Sequence, residues 1–295
     1  MHRHHPHHPI TTEPPASPRV TISLLGGFRV TVNDVPTATR GWARRSAAAL
    51  VKILALEPGH RLHRETVMDL LWPDESPERC APRLHKAAHL ARLAAGHHQA
   101  IVLRDELVWL FPGADLTIDA AQFEQLARVA LRERDPGLAH EALASYGGEL
   151  LPADRYEDWA SDRREALALR RLDVLRVAGE WRDVAELDPT DEEAQAHLVH
   201  RHLAAGDANA ALRQYEHLER VLDRELGVQP QGAARNAGQE ARRLASVAGQ
   251  EPCSPPPMDA LLAELADLVR RQSALLAELS AVGAAASSAE LVGAA

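Results

Sequence analysis

Apolar and polar residues alternate with a period of two over Val20-Thr21-Ile22-Ser23-Leu24-Leu25, and again over Phe28-Arg29-Val30-Thr31-Val32. β-Branched residues at that period predict a short antiparallel sheet, with Gly26-Gly27 as the bend between strands and Asn33-Asp34 as the next turn. The period then changes. Trp42, Ala43, Ala47, Leu50, Val51, Leu54 and Ala55 recur at three and four, predicting a helix that Pro58-Gly59 stops. Val67, Leu70 and Leu71 predict a second helix between His63 and Trp72-Pro73. After a polar turn, Asp74-Glu75-Ser76-Pro77, a third helical pattern places Leu84, Ala87, Ala88, Ala91 and Ala95 on one face. Ala100–Leu103 and Leu107–Leu110 follow as two strands joined at Arg104-Asp105-Glu106. A sheet, three helices and a hairpin in that order predict a winged helix over residues 20–113.

Pro82 bears on where the third helix begins. Inside a helix, proline deletes one hydrogen bond and clashes with the carbonyl four residues back, at roughly 3 kcal/mol. The regular helix is therefore expected to start near Ala81, with Pro82 at its first position, where no amide is missed. In that register one outward stripe holds Arg79, Arg83, Lys86 and His89, and another holds His85, His89 and Arg92, with no acidic residue between Arg79 and Gly96. Ala81–Leu93 then reads as a recognition helix whose first turns present Arg83, His85 and Lys86.

The second half, residues 114–248, is helical from Leu116 onward, with Thr117-Ile118-Asp119 leading into Ala120–Arg132. Ala142-Leu143-Ala144-Ser145-Tyr146 recurs as Ala211-Leu212-Arg213-Gln214-Tyr215, an offset of 69, close to twice the tetratricopeptide period of about 34. The turns Asp135-Pro136-Gly137 and Gly206-Asp207 precede the two copies, as the second helix of a pair requires. A unit between them starts at Gly179-Glu180-Trp181 but is about seven residues short, roughly two helical turns. Thr190 and Glu193 are spaced as a capping box for the next pair. Trp159, Trp181, Tyr146 and Tyr215 are expected to fill gaps between helices, and Tyr156 has no assigned place. Stacked repeats of this kind offer a surface for a protein partner or a second copy.

The flanks read differently. Histidines and prolines in residues 1–19 cannot pack and predict a disordered tail. Pro252, Pro255, Pro256 and Pro257 mark a stiff linker over 249–258. Leu261, Leu265, Leu268, Gln272, Leu275, Leu279 and Val282 predict an amphipathic helix over 259–283, either a short coiled coil that pairs two copies or a helix packing back on the repeats, before a flexible tail over 284–295. The fold class expected is thus mainly α: an α+β winged helix, a TPR-like all-α domain and a terminal amphipathic helix.

Charge sharpens the division. The 295 residues carry a net −9, but residues 1–113 hold 14 Lys/Arg against 10 Asp/Glu, and residues 114–295 hold 19 against 32. A part at +4 joined to one at −13 fits a DNA-facing module beside an acidic protein-facing one, because phosphate neutralisation depends on the local patch. Cys80 and Cys253 form no metal or disulfide framework. No apolar run approaches the roughly 20 residues of a membrane span, and the start lacks a signal peptide's apolar core, so a cytoplasmic protein without cofactor or metal is expected. No nucleophile, paired carboxylates or phosphate-binding Gly-Lys-Ser/Thr loop points to an enzyme. The candidate DNA contacts are Arg79, Arg83, His85, Lys86, His89 and Arg92 on the third helix, Arg44 and Arg45 at the front of the first, and Arg104 at the hairpin tip. Arg83 and Lys86 can donate to guanine, while Arg44, Arg45 and Arg104 suit phosphates.

Arg83-Leu84-His85-Lys86-Ala87-Ala88-His89-Leu90-Ala91-Arg92, preceded by Leu70-Leu71-Trp72-Pro73-Asp74 and Leu24-Leu25-Gly26-Gly27-Phe28, resembles the winged helix of the antibiotic-regulatory (SARP-type) bacterial transcriptional activators. Glu149-Leu150-Leu151, Tyr156-Glu157-Asp158-Trp159-Ala160, Arg163-Arg164 and Arg224-Glu225-Leu226-Gly227-Val228-Gln229-Pro230 resemble their activator domain, so the resemblance spans about residues 20–245. It departs at Pro82, where a polar residue is usual, and at His63, where Ser or Thr commonly caps. It implies a winged helix-turn-helix of the response-regulator type in a homodimeric activator that binds direct repeats in double-stranded promoter DNA and recruits RNA polymerase. The alternative is an interaction protein whose winged helix never meets DNA and whose repeats bind a protein partner.

Overall fold

The computed structural model describes residues 17–37, 42, 44–248, 265 and 272. The tail up to residue 16, the linker and nearly all of the predicted amphipathic helix lie outside the described residues.

Strands β1 (Arg19–Ser23) and β2 (Arg29–Val32) form the antiparallel pair that the alternation predicts, and a two-residue β3 (Val35–Pro36) adds to the far side of β2. Asn33 and Asp34 both take positive φ between β2 and β3, the tight turn their side chains tolerate. Val20, Ile22 and Val30 turn inward and are almost fully buried. Helix α1 (Arg45–Leu56) starts later than Trp42, which precedes it and packs edge-on against Phe28, 5.2 Å between ring centroids. A strand not legible in the sequence, β4 (Arg61–His63), leads into α2 (Arg64–Leu71) and then α3 (Pro77–Ala95). β5 (Ile101–Arg104) and β6 (Leu107–Leu110) form the expected hairpin, and β4 joins the outer side of β6, so the wing has three strands in the order β4-β6-β5.

The segment expected to lead straight into helix is instead a strand. β7 (Asp115–Ile118) lies parallel to β1, with Val20 opposite Leu116 and Ile22 opposite Ile118, and completes a sheet of order β3-β2-β1-β7. Four residues are too few for a period to show, and the partner strand lies far back in the chain.

Seven α-helices follow among the residues described up to 248: α4 (Asp119–Glu133), α5 (Pro136–Ser145), α6 (Ser161–Ala178), α7 (Trp181–Leu187), α8 (Glu192–Ala204), α9 (Ala208–Leu226) and α10 (Gly232–Ala248). The related segments fall in α5 and α9, each the second helix of a pair, and each starts on an aspartate cap: Asp135 accepts from the Leu138 amide at 2.9 Å and Asp207 from the Ala210 amide at 2.8 Å. The short middle unit is explained by α7, seven residues long against ten in α5 and nineteen in α9. The predicted Thr190/Glu193 capping box does not form. Asp191 caps α8 by accepting from the Ala194 amide, while Thr190 donates its hydroxyl to Asp188. Asp191 is also bound by Arg176 at 2.7 Å, and that second role favours the aspartate over the threonine. Tyr215 is buried against α10, where a side chain at Gly238 would meet its ring at 2.3 Å. Tyr146 packs edge-on to Phe123, and Trp181 stacks on His197, as gap-filling aromatics should; Tyr156 is 94% exposed.

One buried core runs from Val20 through α1, α3 and the wing to Leu167 and Val174 of α6, so the two halves share it. Several contacts cross between them. The Leu24 and Leu25 amides donate to Asp119 at the start of α4, Leu25 bridges to Leu150, and Gly26 donates to the Glu149 carbonyl. Gly26, at φ +75°, lies so close to Gly147 that a β-carbon would sit 2.5 Å from its carbonyl oxygen. Lys52 of α1, only 7% exposed, pairs with Asp154 at 2.5 Å.

Candidate nucleic-acid interface

Helix α3 begins at Pro77, not near Ala81. Ser76-Pro77 supplies an extended residue followed by proline at the first helical position, a start that costs no hydrogen bond. Pro82 is therefore inside the helix, and its ring leaves the Glu78 carbonyl without its usual amide. Arg83 and Lys86 lie seven to ten residues into the helix, in its second and third turns, so the expectation that they occupy the first turns is corrected. The true start is acidic. Glu78 is exposed, and its carboxyl is held below the usual range by backbone and Ser76 hydrogen bonds, so it carries its charge at the helix N terminus.

At 100° per residue, Cys80, Leu84, Ala87, Ala88, Ala91, Ala94 and Ala95 form the buried face, which includes the five positions the sequence assigned to it. Along the middle of the opposite face run Pro82, Lys86, His89 and Leu93, with Arg79 and Arg83 on one flank and His85 on the other. Arg79, Lys86, His85 and His89 are exposed and have no ion-pair partner among the described residues. Leu93, 64% exposed, was not singled out as a contact, though its spacing of seven from Lys86 places it on this face. An exposed leucine there can meet a thymine methyl.

The other candidates are divided. Arg83 pairs with Glu75 and lies over the Trp72 ring at 4.4 Å. Arg92 is turned away from the exposed face and donates its Nε–H to the Ile101 carbonyl at 2.8 Å, tying α3 to β5. Arg104 is exposed at the wing tip but pairs with Asp105 at 3.2 Å, and Glu106 beside it pairs with Arg64. The tip is thus close to neutral rather than basic. Across a narrow groove it faces His85. Arg44 and Arg45 line a cleft toward the second half, where Arg45 meets Glu157 at 3.4 Å. The structure thus brings Arg79, His85, Lys86 and His89 together on one surface, with Arg104 opposite, and leaves Arg44, Arg45 and Arg92 off it. Arg61, on the strand the sequence did not reveal, lies over Trp109 at 4.7 Å. Cys80 is buried within α3.

Residues 118–242 match the family described as the bacterial transcriptional activator domain. The match opens at the last residue of β7 and closes within α10, so it covers all three helix pairs and most of the helix that follows. One solved structure of similar fold is Mycobacterium tuberculosis EmbR in complex with a low affinity phosphopeptide, at a TM-score of 0.59 and 16% identity over 77% of this chain. The chain spans 65% of the length of that EmbR chain. No curated protein matches the sequence. A winged helix followed by a segment that matches the activator-domain family is similar to the order of domains that the SARP-type resemblance implies. Among the described residues, no helix is long and apolar enough to cross a membrane.

Proposed function

We propose that the chain is a sequence-specific DNA-binding activator, with α3 entering the major groove and the wing beside it. The observation that carries this reading is the exposed face of α3, where Arg79, Lys86, His85 and His89 stand without acidic partners while the opposite face is buried. A solvated helix face has no need to exclude acids over seventeen positions in an acidic chain, whereas a face meeting phosphates does. Lys86 lies at the centre of that face and suits guanine; Leu93 suits the thymine methyl. Binding to direct repeats as a homodimer and recruitment of RNA polymerase by the activator domain complete the reading, and both rest on the SARP-type resemblance.

Selection of bound genomic fragments, followed by titration of the best fragment at several salt concentrations, tests it. The expected result is a log affinity that falls linearly with log salt, together with a smaller slope in Arg79→Ala. No fragment binding at low salt would reject the proposal and leave the helical repeats as the recognition surface of an interaction protein.

A further inference from the structure

Three arginines that the charge pattern offers to DNA, Arg44, Arg45 and Arg83, meet instead around a cleft of about 520 Å³ where the winged helix faces the segment between α5 and α6. That volume falls within the range of roughly 300–1,000 Å³ typical of small-molecule sites, which favour such junctions. Two indoles, Trp72 at the end of α2 and Trp159 from the second half, also line it.

The charges are unevenly used. Of the two carboxylates at the cleft, Asp154 is neutralised by Lys52 at 2.5 Å. Glu157 accepts from the Trp159 Nε1–H at 3.1 Å and reaches Arg45 at only 3.4 Å, with the Arg45 side chain 87% exposed. An exposed pair of that kind is worth at most about 1 kcal/mol and is readily displaced. Arg44 has no carboxylate partner among the described residues. Arg83 is held in place by Trp72 and Glu75, so its guanidinium is already ordered. The start of α1, which carries Arg44 and Arg45, has neither a side-chain cap nor an acidic residue in its first turn, in contrast to the aspartate caps of α5, α8 and α9.

We propose that this cleft binds a small amphiphilic anion, a carboxylate or phosphate monoester on a flat apolar body. Its oxyanion accepts from Arg44 and Arg45 and displaces Glu157, and its body lies against the indoles. Because Arg83 belongs to α3, occupancy also alters the DNA-facing helix. That coupling rests on the function proposed above; the binding does not.

The test uses the full chain labelled with nitrogen-15 and follows its five tryptophan indole signals, assigned by single Trp→Phe variants, during titration with benzoate, phenyl phosphate, inorganic phosphate and neutral phenol. The expected result is saturable movement of the Trp72 and Trp159 signals with benzoate or phenyl phosphate, at least tenfold weaker binding of phosphate and of phenol, and a tenfold loss of affinity in Arg44→Ala/Arg45→Ala. Glu157→Gln, which frees Arg45, should bind several-fold tighter and serves if the double variant does not fold. Non-saturating shifts, equal movement of all five indoles, phenol binding as well as the charged probes, or unchanged affinity in the variants would overturn the site. Unchanged DNA affinity at saturating probe would remove the coupling alone, whereas absence of DNA binding with or without probe would count against the DNA reading and not the cleft.

Discussion

Lys86 and Arg92 stand six residues apart on α3 and carry the same charge, yet the structure gives them different work. Lys86 projects from the exposed face with no partner among the described residues, whereas Arg92 spends its Nε–H on the Ile101 carbonyl. Lys86→Ala should lower affinity for a selected DNA site about tenfold or more, a loss of roughly 1–3 kcal/mol if it contacts a base, while leaving the thermal midpoint within a degree or two. Arg92→Ala should do the reverse: it removes a hydrogen bond from a charged donor and should cost about 1 kcal/mol of stability, after allowance for partial exposure. Parallel melting curves and binding isotherms of the two variants check the assignment, and equal DNA losses at equal stability would refute it. Residue type and helical spacing made both arginine and lysine legible as outward-facing. Which of them was already engaged was not, because the partners Ile101, Trp72 and Glu75 belong to other elements.

At the level of elements, periodicity located the helices well and their starts less well. Alternation found β1 and β2, and the three-and-four spacing found α1, α2 and α3. The buried stripe of α3 emerged intact because five of its members are apolar and in register. α3 starts four residues before the expected Ala81 because Ser76-Pro77 provides a start that costs no hydrogen bond, and the helix tolerates Pro82 within it. β4 and β7 were missed because strands of three and four residues carry almost no pattern and depend on distant partners. Pro82 remains a cost. Pro82→Ala should restore the amide to the Glu78 carbonyl and raise stability by about 1–3 kcal/mol, partly offset by the freer unfolded chain. Chemical denaturation reads this directly; an unchanged or lower midpoint would mean that the ring packs in a way its exposure does not show.

For the whole molecule, the decisive contacts lie between the halves, and none was legible in the sequence because each joins residues about a hundred positions apart. Asp154→Asn should destabilise the chain by roughly 3–5 kcal/mol, since it strands the buried Lys52 ammonium, and Lys52→Met in the same chain should recover much of that loss. The recovery in the double variant distinguishes a stranded charge from general damage. Asp119 adds a pH signature. Burial holds its carboxyl above the usual aspartate range, against the opposing hydrogen bonds from the Leu24, Leu25 and Ala120 amides. The folded chain therefore keeps this proton to a higher pH than the unfolded chain. The stability it contributes is fullest below the unfolded value of about 3.9 and is lost as pH rises through the folded value. Denaturation midpoints of wild type and Asp119→Asn across pH 4–7 should show the wild type losing ground to the variant as pH rises, and a difference that is flat or of opposite slope would contradict this.

The close approach of Gly26 to Gly147, with Leu25 bridged to Leu150, leaves no slack between the sheet of β1 and β2 and the first helix pair beyond it. If α3 seats a copy on the double helix as proposed, that copy cannot swing its repeats to meet a partner; they point where the DNA points them. Under the proposed function, adding about five base pairs between adjacent sites should turn the second copy to the far side of the duplex and abolish activation in a reporter, and adding about ten should bring it back. Activation indifferent to that phase would require a flexible joint that these contacts do not allow.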